Sequence, residues 1–299
     1  MVNKTGMLMV LLVITAASVF GDAGKTGWWI LRRAQSTKPQ PITSVAAIRG
    51  DLSGVFYNPS LLGTIRQKEV FLLTESGIGS DMFGGVVYGH PLKDSGFSVG
   101  VVYYNSGKDN VSYMQGGVLQ EASITMQSDL MAMASYGKKV SDSFFAGATL
   151  KIANTTVVQS QASTAFCLDL GIMKDIAGFT VSVAAQNLGS SSQMLNRADA
   201  LPMSVWAGCS YGMNLGSNGR LGLGVDMPYI AAEGRMNPVL GVEYGAGKYS
   251  ASLGYKLGVA DSAVQLGLNM LTEKYDIGYA VAPSQYLSVA HRVSIGYRF

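Results

Sequence analysis

The chain has 299 residues, 22 basic and 19 acidic side chains, and a formal net charge of +3. Only 14% of its residues are charged, against about a quarter in soluble domains, and 37 are Gly. These values exclude a disordered chain, a coiled coil, a collagen-like repeat, a disulfide scaffold and a strongly basic nucleic-acid binder. Two Cys and two His leave little material for a metal site or for His-dependent catalysis, so neither enzyme activity nor a cofactor is expected.

Lys4 precedes an apolar run at residues 7–20, followed by small residues, with cleavage expected after Gly21 or Ala23. The run is short for a spanning helix, which needs about 20 residues. Residues 1–21 therefore read as a secretory signal peptide. Residues 22–66 show no sustained period and read as an irregular arm followed by a short helix or turn. The arm carries Trp28, Trp29, Arg32 and Arg33. Two readings of this cluster stay open. It is an interfacial anchor, with aromatics at headgroup level and arginines at phosphate, or it docks a protein partner.

From Lys68 onward apolar residues alternate with small or polar ones, the period of a strand. In the last segment Val289, Val293, Ile295 and Tyr297 share one face, and Arg292, Ser294 and Gly296 share the other. Such segments start near Val70, Gly84, Phe97, Ile124, Phe144, Thr164, Phe179, Met203, Leu221, Val239, Tyr249, Val264, Tyr275 and Leu287. Residues 67–299 shared among them allow about 17 residues each, enough for a ~9–11-residue spanning strand and a short connection. The longest connections fall near residues 106–122 and 189–200.

The apolar face is continuous, and the other face is too poor in charge for ordinary water exposure. Lipid outside and a filled polar lumen inside fit this pattern. The fold expected is all-β: an antiparallel transmembrane β-barrel of about 14 strands in the bacterial outer membrane, with both termini periplasmic. Asp169, Arg220, Asp226, Glu243, Lys256 and Arg292 fall on the inward face and are expected to pack the lumen as paired charges. A barrel this wide is not filled by Gly, Ser and Ala alone. Residues 22–66 are therefore expected to fold inward as a plug, with a partly open, water-filled pore as the alternative. Asn58-Pro59 suits a tight turn there, and Gly50 and Gly54 permit close approach to the wall.

Other motifs carry less. Gly24-Lys25-Thr26 lacks the first glycine of a phosphate loop, since Val19 stands there. His291 and Ser294 are three residues apart on a strand and point to opposite faces. Cys167 and Cys209 fall on the sixth and eighth strands, about 10 Å apart, beyond the ~7 Å reach of a disulfide, so free thiols are expected.

Residues 47–63 contain a small-residue run, Asp51, and then Phe56-Tyr57-Asn58-Pro59-Ser60-Leu61-Leu62. This segment resembles the N-terminal plug signature of the FadL/PorV superfamily. Ala184-Ala185-Gln186-Asn187-Leu188-Gly189 resembles a mid-barrel Asn-Leu-Gly turn of the PorV/PorQ branch. Leu201-Pro202 resembles its strand opening, and the run from His291 to Phe299 its final strand. The resemblance implies a fourteen-stranded outer-membrane barrel over residues 67–299, with Gly50, Asp51, Gly54, Asn58 and Pro59 in the plug. Tyr297 and Phe299 resemble the terminal signal read by the barrel-insertion machinery. FadL-like members pass hydrophobic molecules sideways into the membrane, and PorV-like members are partners of cargo and translocon in type IX secretion. The leading expectation is a membrane-embedded protein partner in a secretion or surface assembly. A FadL-like diffusion channel and a purely structural barrel are the alternatives. The partners expected are membrane lipid, the insertion machinery and proteins of an outer-membrane complex, and not nucleic acid.

Overall fold

The computed structural model describes residues 27–33, 36–38, 50–77, 81–158, 161–194, 197–259, 263–284 and 289–299. The signal peptide expected at residues 1–21 lies outside them, as do residues 47–49 of the signature.

Fourteen strands form the wall: β1 Glu69–Ser76, β2 Met82–Pro91, β3 Ser95–Asn105, β4 Gln127–Ser141, β5 Phe144–Val157, β6 Gln161–Ile176 and β7 Phe179–Ser191. The second half is β8 Ser204–Leu215, β9 Gly219–Ile230, β10 Val239–Ala246, β11 Tyr249–Lys256, β12 Val264–Leu271, β13 Tyr275–Ala282 and β14 Ala290–Arg298. Each pairs antiparallel with the next. β14 returns to β1 with Glu69 opposite Arg298 and Ser76 opposite His291, which closes the barrel and leaves no edge. Every strand starts within three residues of the position expected from the alternation.

The outward face is exposed and apolar, with Leu150, Leu170, Leu253, Leu268 and Val293 at mid-height. Exposed rings cluster at the two rims. Tyr136, Phe179, Tyr244, Tyr249, Tyr275 and Tyr297 lie toward the rim that carries the chain end. Tyr103, Phe166, Tyr229 and Tyr255 lie toward the opposite rim. Two aromatic belts flanking an aliphatic band are what a bilayer requires of a spanning barrel. The chain is therefore a transmembrane β-barrel of the bacterial outer membrane. No described helix is long and apolar enough to cross a membrane.

Two local features differ from the sequence reading. Residues 184–189 are not a turn but lie inside β7. The β6–β7 register shifts between Leu168 and Leu170, and Asn187 takes φ +58°. This is a bulge, and Asn tolerates the left-handed conformation better than most residues. The long connection near residues 106–122 carries regular structure to which the sequence reading assigned none. Lys108–Gln115 and Val118–Thr125 pair into a ribbon closed by Gly116-Gly117, both at positive φ, as a two-residue hairpin turn requires. The ribbon continues β3 and β4 beyond the wall, with Ser106 N–H donating to the Gln127 carbonyl at 2.9 Å. The rim that bears it is termed the hairpin rim, and the other the terminal rim.

Residues 50–65 lie inside the barrel as two 3-10 turns, Leu52–Phe56 and Pro59–Thr64, against the inward faces of β2–β6. Leu52, Val55, Leu61 and Leu62 are buried there with Phe83, Val87, Val102 and Met131. Glycines on the wall make this approach possible. A Cβ on Gly147 would lie 2.5 Å from the Pro59 carbonyl carbon, and one on Gly171 would collide with Asn58 Oδ1. Gly222, on β9, has nothing nearer than 3.8 Å.

Two tests follow from this packing. Ser60→Cys, at a fully buried position, is expected to resist a small maleimide in a barrel whose Cys167 and Cys209 are replaced by Ala. Adding Gly147→Val should make it reactive, and adding Gly222→Val should not. On the outer face, Leu150→Arg is expected to cost about 2–4 kcal/mol in lipid-vesicle unfolding, while Thr149→Ser, one residue away and inward, costs far less.

Candidate functional site

The candidate functional region is the lumen and its two mouths. Asp51 caps the first inner turn, its carboxylate accepting from Ser53 N–H at 2.8 Å. Asn58 caps the second, accepting from Ser60 N–H at 3.0 Å and from the Ser60 hydroxyl at 2.7 Å. Both residues therefore serve the role for which Asp and Asn are favoured at turn starts, and Pro59 occupies the first position of its turn. Gly50 takes φ +71°, and Gly54 is the carbonyl acceptor for Tyr57 N–H at 3.0 Å.

The bulge in β7 ties this segment to the wall. Gln186 Nε2 donates to the Phe56 and Tyr57 carbonyls at 3.2 and 2.6 Å. Asn187 N–H donates to Asp169 Oδ1 at 2.8 Å, and Asp169 pairs with Lys151 at 2.5 Å. Lys151 also donates to Asn187 Oδ1 at 3.1 Å. The Asn187 amide then reaches the Leu31 and Pro202 carbonyls at 3.4 and 3.2 Å.

The arm at residues 27–33 is partly internal, with Trp28, Ile30 and Leu31 buried. Trp28 is 1% exposed and Arg33 is buried, so neither meets headgroups or an external partner; Trp29, at 45%, does face outward. This corrects the surface reading for Trp28 and Arg33. Arg33 Nε donates to Glu75 at 2.7 Å and its Nη2 to Asp81 at 3.0 Å, with its guanidinium 5.1 Å from the centroids of both Phe83 and Tyr104. Planar, weakly hydrated guanidinium is the cation best suited to such a cage. Arg292 of β14 pairs with the same Glu75. Arg32 pairs with Glu233 at 2.6 Å.

Of the inward charges read from the sequence, Asp169, Glu243 and Arg292 are buried and paired, and Asp226 is buried. Arg220 pairs with Glu243 at 2.9 Å, but its side chain is 67% exposed at the terminal rim. Lys256 is half-buried at the hairpin rim. Sequence reading missed Glu69, Glu75, Lys151, Glu233, Asp276 and Arg298. For the two glutamates the signal was present: they share strand parity with Phe71 and Leu73, the inward face of β1. Cys167 and Cys209 are free thiols.

Two cavities open at the mouths. One of about 470 Å³ lies at the terminal rim, bordered by Lys38, Asp51, Glu69, Arg220, Glu243 and Arg298. The other, of about 290 Å³, lies at the hairpin rim, bordered by Phe56, Tyr57 and Trp206 and by Arg32, Lys151, Arg235 and Lys256. Tyr297 and Phe299 sit outside the terminal rim, stacked at 5.8 Å.

These features define an outer-membrane barrel with an occupied lumen, and solved structures share the fold. The Pseudomonas putida toluene transporter TodX aligns with a TM-score of 0.59 at 10% identity, over 92% of this chain and 99% of that one. The monoaromatic hydrocarbon channel CymD aligns with a TM-score of 0.56 at 12% identity, over 86% and 94% of the two chains. A Pseudomonas aeruginosa FadL homologue aligns at 0.52 and 11% identity, over 92% and 98%. The chain thus shares the fold of these outer-membrane barrels. No protein-family model and no curated protein matches the sequence.

Lys38 Nζ meets Asp51 at 2.7 Å beside the terminal cavity. Burial opposes both charges, but their mutual attraction outweighs it. The Asp51 carboxyl is held below its ordinary value, helped by Ser53, and the Lys38 ammonium is held above its own. The pair's contribution is therefore complete between about pH 4 and about pH 10, the ordinary values of the two groups. It is lost as pH falls through the depressed carboxyl value or rises through the raised ammonium value. In Asp51→Asn the acid-side fall in the thermal midpoint below about pH 4 is expected to shrink relative to the native chain.

Proposed function

We propose that the protein is an outer-membrane channel for small hydrophobic molecules, with residues 50–65 acting as its lumen plug. The observation that carries this reading is the hairpin-rim cavity. Phe56 and Tyr57 of the plug border it, and Gln186 and Asn187 border it at the bulge where the β6–β7 ladder is interrupted. A solute that enters there meets plug and wall bulge together. The hydrocarbon transport named for TodX and CymD, on the same fold, supports the reading. The terminal rim is then periplasmic, and Tyr297 and Phe299 serve as the signal for the insertion machinery. Deleting residues 41–62 is expected to leave a heat-modifiable, membrane-inserted barrel and to raise small-solute permeability in liposome swelling. A deletion variant that inserts normally and conducts no more than the full chain would refute the plug.

A second reading, a PorV/PorQ-like partner in a secretion or surface assembly, is favoured by the ribbon. An isolated two-stranded ribbon is marginal in water, yet this one exposes Tyr113, Met114, Val118 and Leu119 at its tip. If it docks a partner, mild-detergent purification should recover other outer-membrane proteins with the native chain and lose them when residues 108–125 are replaced by a tight turn.

A further inference from the structure

We infer that the hairpin-rim cavity binds a small aromatic anion, a single ring bearing one carboxylate or comparable group. This rests on the channel reading of the same mouth and narrows what that mouth accepts.

The cavity combines two chemistries. Phe56, Tyr57 and Trp206 supply rings, and Trp206 is fixed by Nε1–H donation to Ser204 Oγ at 3.0 Å. Five cationic side chains also border it, with Glu233 as the single carboxylate among the bordering residues. Three of these cations are neutralised. Arg32 has Glu233, Arg33 has Glu75 and Asp81, and Lys151 has Asp169.

Among the described residues, neither Lys256 nor Arg235 pairs with a carboxylate. Arg235 donates to the Gly258 carbonyl at 2.6 Å. Glu75, whose charge acts on Lys256, is already shared by Arg33 and Arg292. A neutral hydrocarbon seated here would strip water from a half-buried ammonium and return no counter-charge, which is costly. A bound anion supplies that charge, while its ring meets the aromatic wall. The volume of about 290 Å³ is at the lower end for small-molecule sites and matches one ring with a short substituent.

The test is calorimetric titration of the full-length barrel in detergent with benzoate, toluene and acetate. Benzoate is expected to bind at least about tenfold more tightly than either. Lys256→Met should weaken benzoate about tenfold and tighten toluene, which no longer desolvates an ammonium, and Lys256→Arg should restore benzoate. Arg235→Gln, at a half-buried position beside the end of β9, tests the same charge field should Lys256→Met fail to fold, and a clear loss of benzoate affinity is expected. Toluene or acetate binding as tightly as benzoate would overturn the inference, as would indifference of benzoate to both charge removals. Binding requires no passage, so the two readings fail separately. A barrel that binds benzoate but stays impermeable keeps this site and loses the channel. One that conducts without binding benzoate loses only the site.

Discussion

A closed ring of fourteen strands encloses more space than its own inward side chains can fill, and everything inside must satisfy its backbone without bulk water. That constraint explains the polar residues of the inner segment. Asp51 and Asn58 cap the two 3-10 turns, and Gln186 takes up the Phe56 and Tyr57 carbonyls that the turns leave open. The apolar residues between them then bury against β2–β6. Without the caps and Gln186, the same burial would strand donors and acceptors at a cost of about 1–3 kcal/mol each.

The two ends of the inner chain are held by charge as well as by the apolar burial of Trp28, Ile30, Leu31 and Ile65. At the hairpin rim Arg33 bridges Glu75 and Asp81, on the first strand and just before the second. At the terminal rim Lys38 meets Asp51, and Arg298 of the last strand meets Glu69 of the first at 2.9 Å. Removing one member of such a pair leaves an uncompensated charge in a poorly hydrated space, so these pairs specify position more than they add net stability. The ion pairs also fall on both sides of the β1–β14 seam, where strand closure depends on non-local pairing.

The wall was legible in the sequence because alternation has one physical cause here, lipid against lumen, and it runs through all fourteen strands. The inner segment was legible at Asn58-Pro59 and Asp51, where capping chemistry is local. Three features were not. The ribbon at 108–125 has both faces exposed, so it lacks the one-sided pattern that marks a spanning strand. The bulge at Asn187 inserts a residue without altering composition. Arg33 looks like a surface residue because its partners, Glu75, Asp81 and Phe83, lie more than forty positions away. The inward charges on β1 could have been found, since Glu69 and Glu75 share the parity of Phe71 and Leu73. They pass unnoticed when only Gly- and Ser-rich faces are taken as lumen.

The bulge brings these elements together. Through Gln186 it holds the inner segment, and through Asn187 it holds the Leu31 carbonyl of the arm and the Pro202 carbonyl before β8. Asp169 and Lys151 lock the Asn187 backbone in its left-handed conformation. Phe56 and Tyr57 border the hairpin-rim cavity from one side, and Gln186 and Asn187 border it from the other. Moving the inner segment therefore breaks the Gln186 bonds and reshapes that cavity, while relaxing the bulge releases arm and segment at once. The shape of the mouth and the position of the lumen segment are thus a single structural variable, set by two adjacent amide side chains on β7.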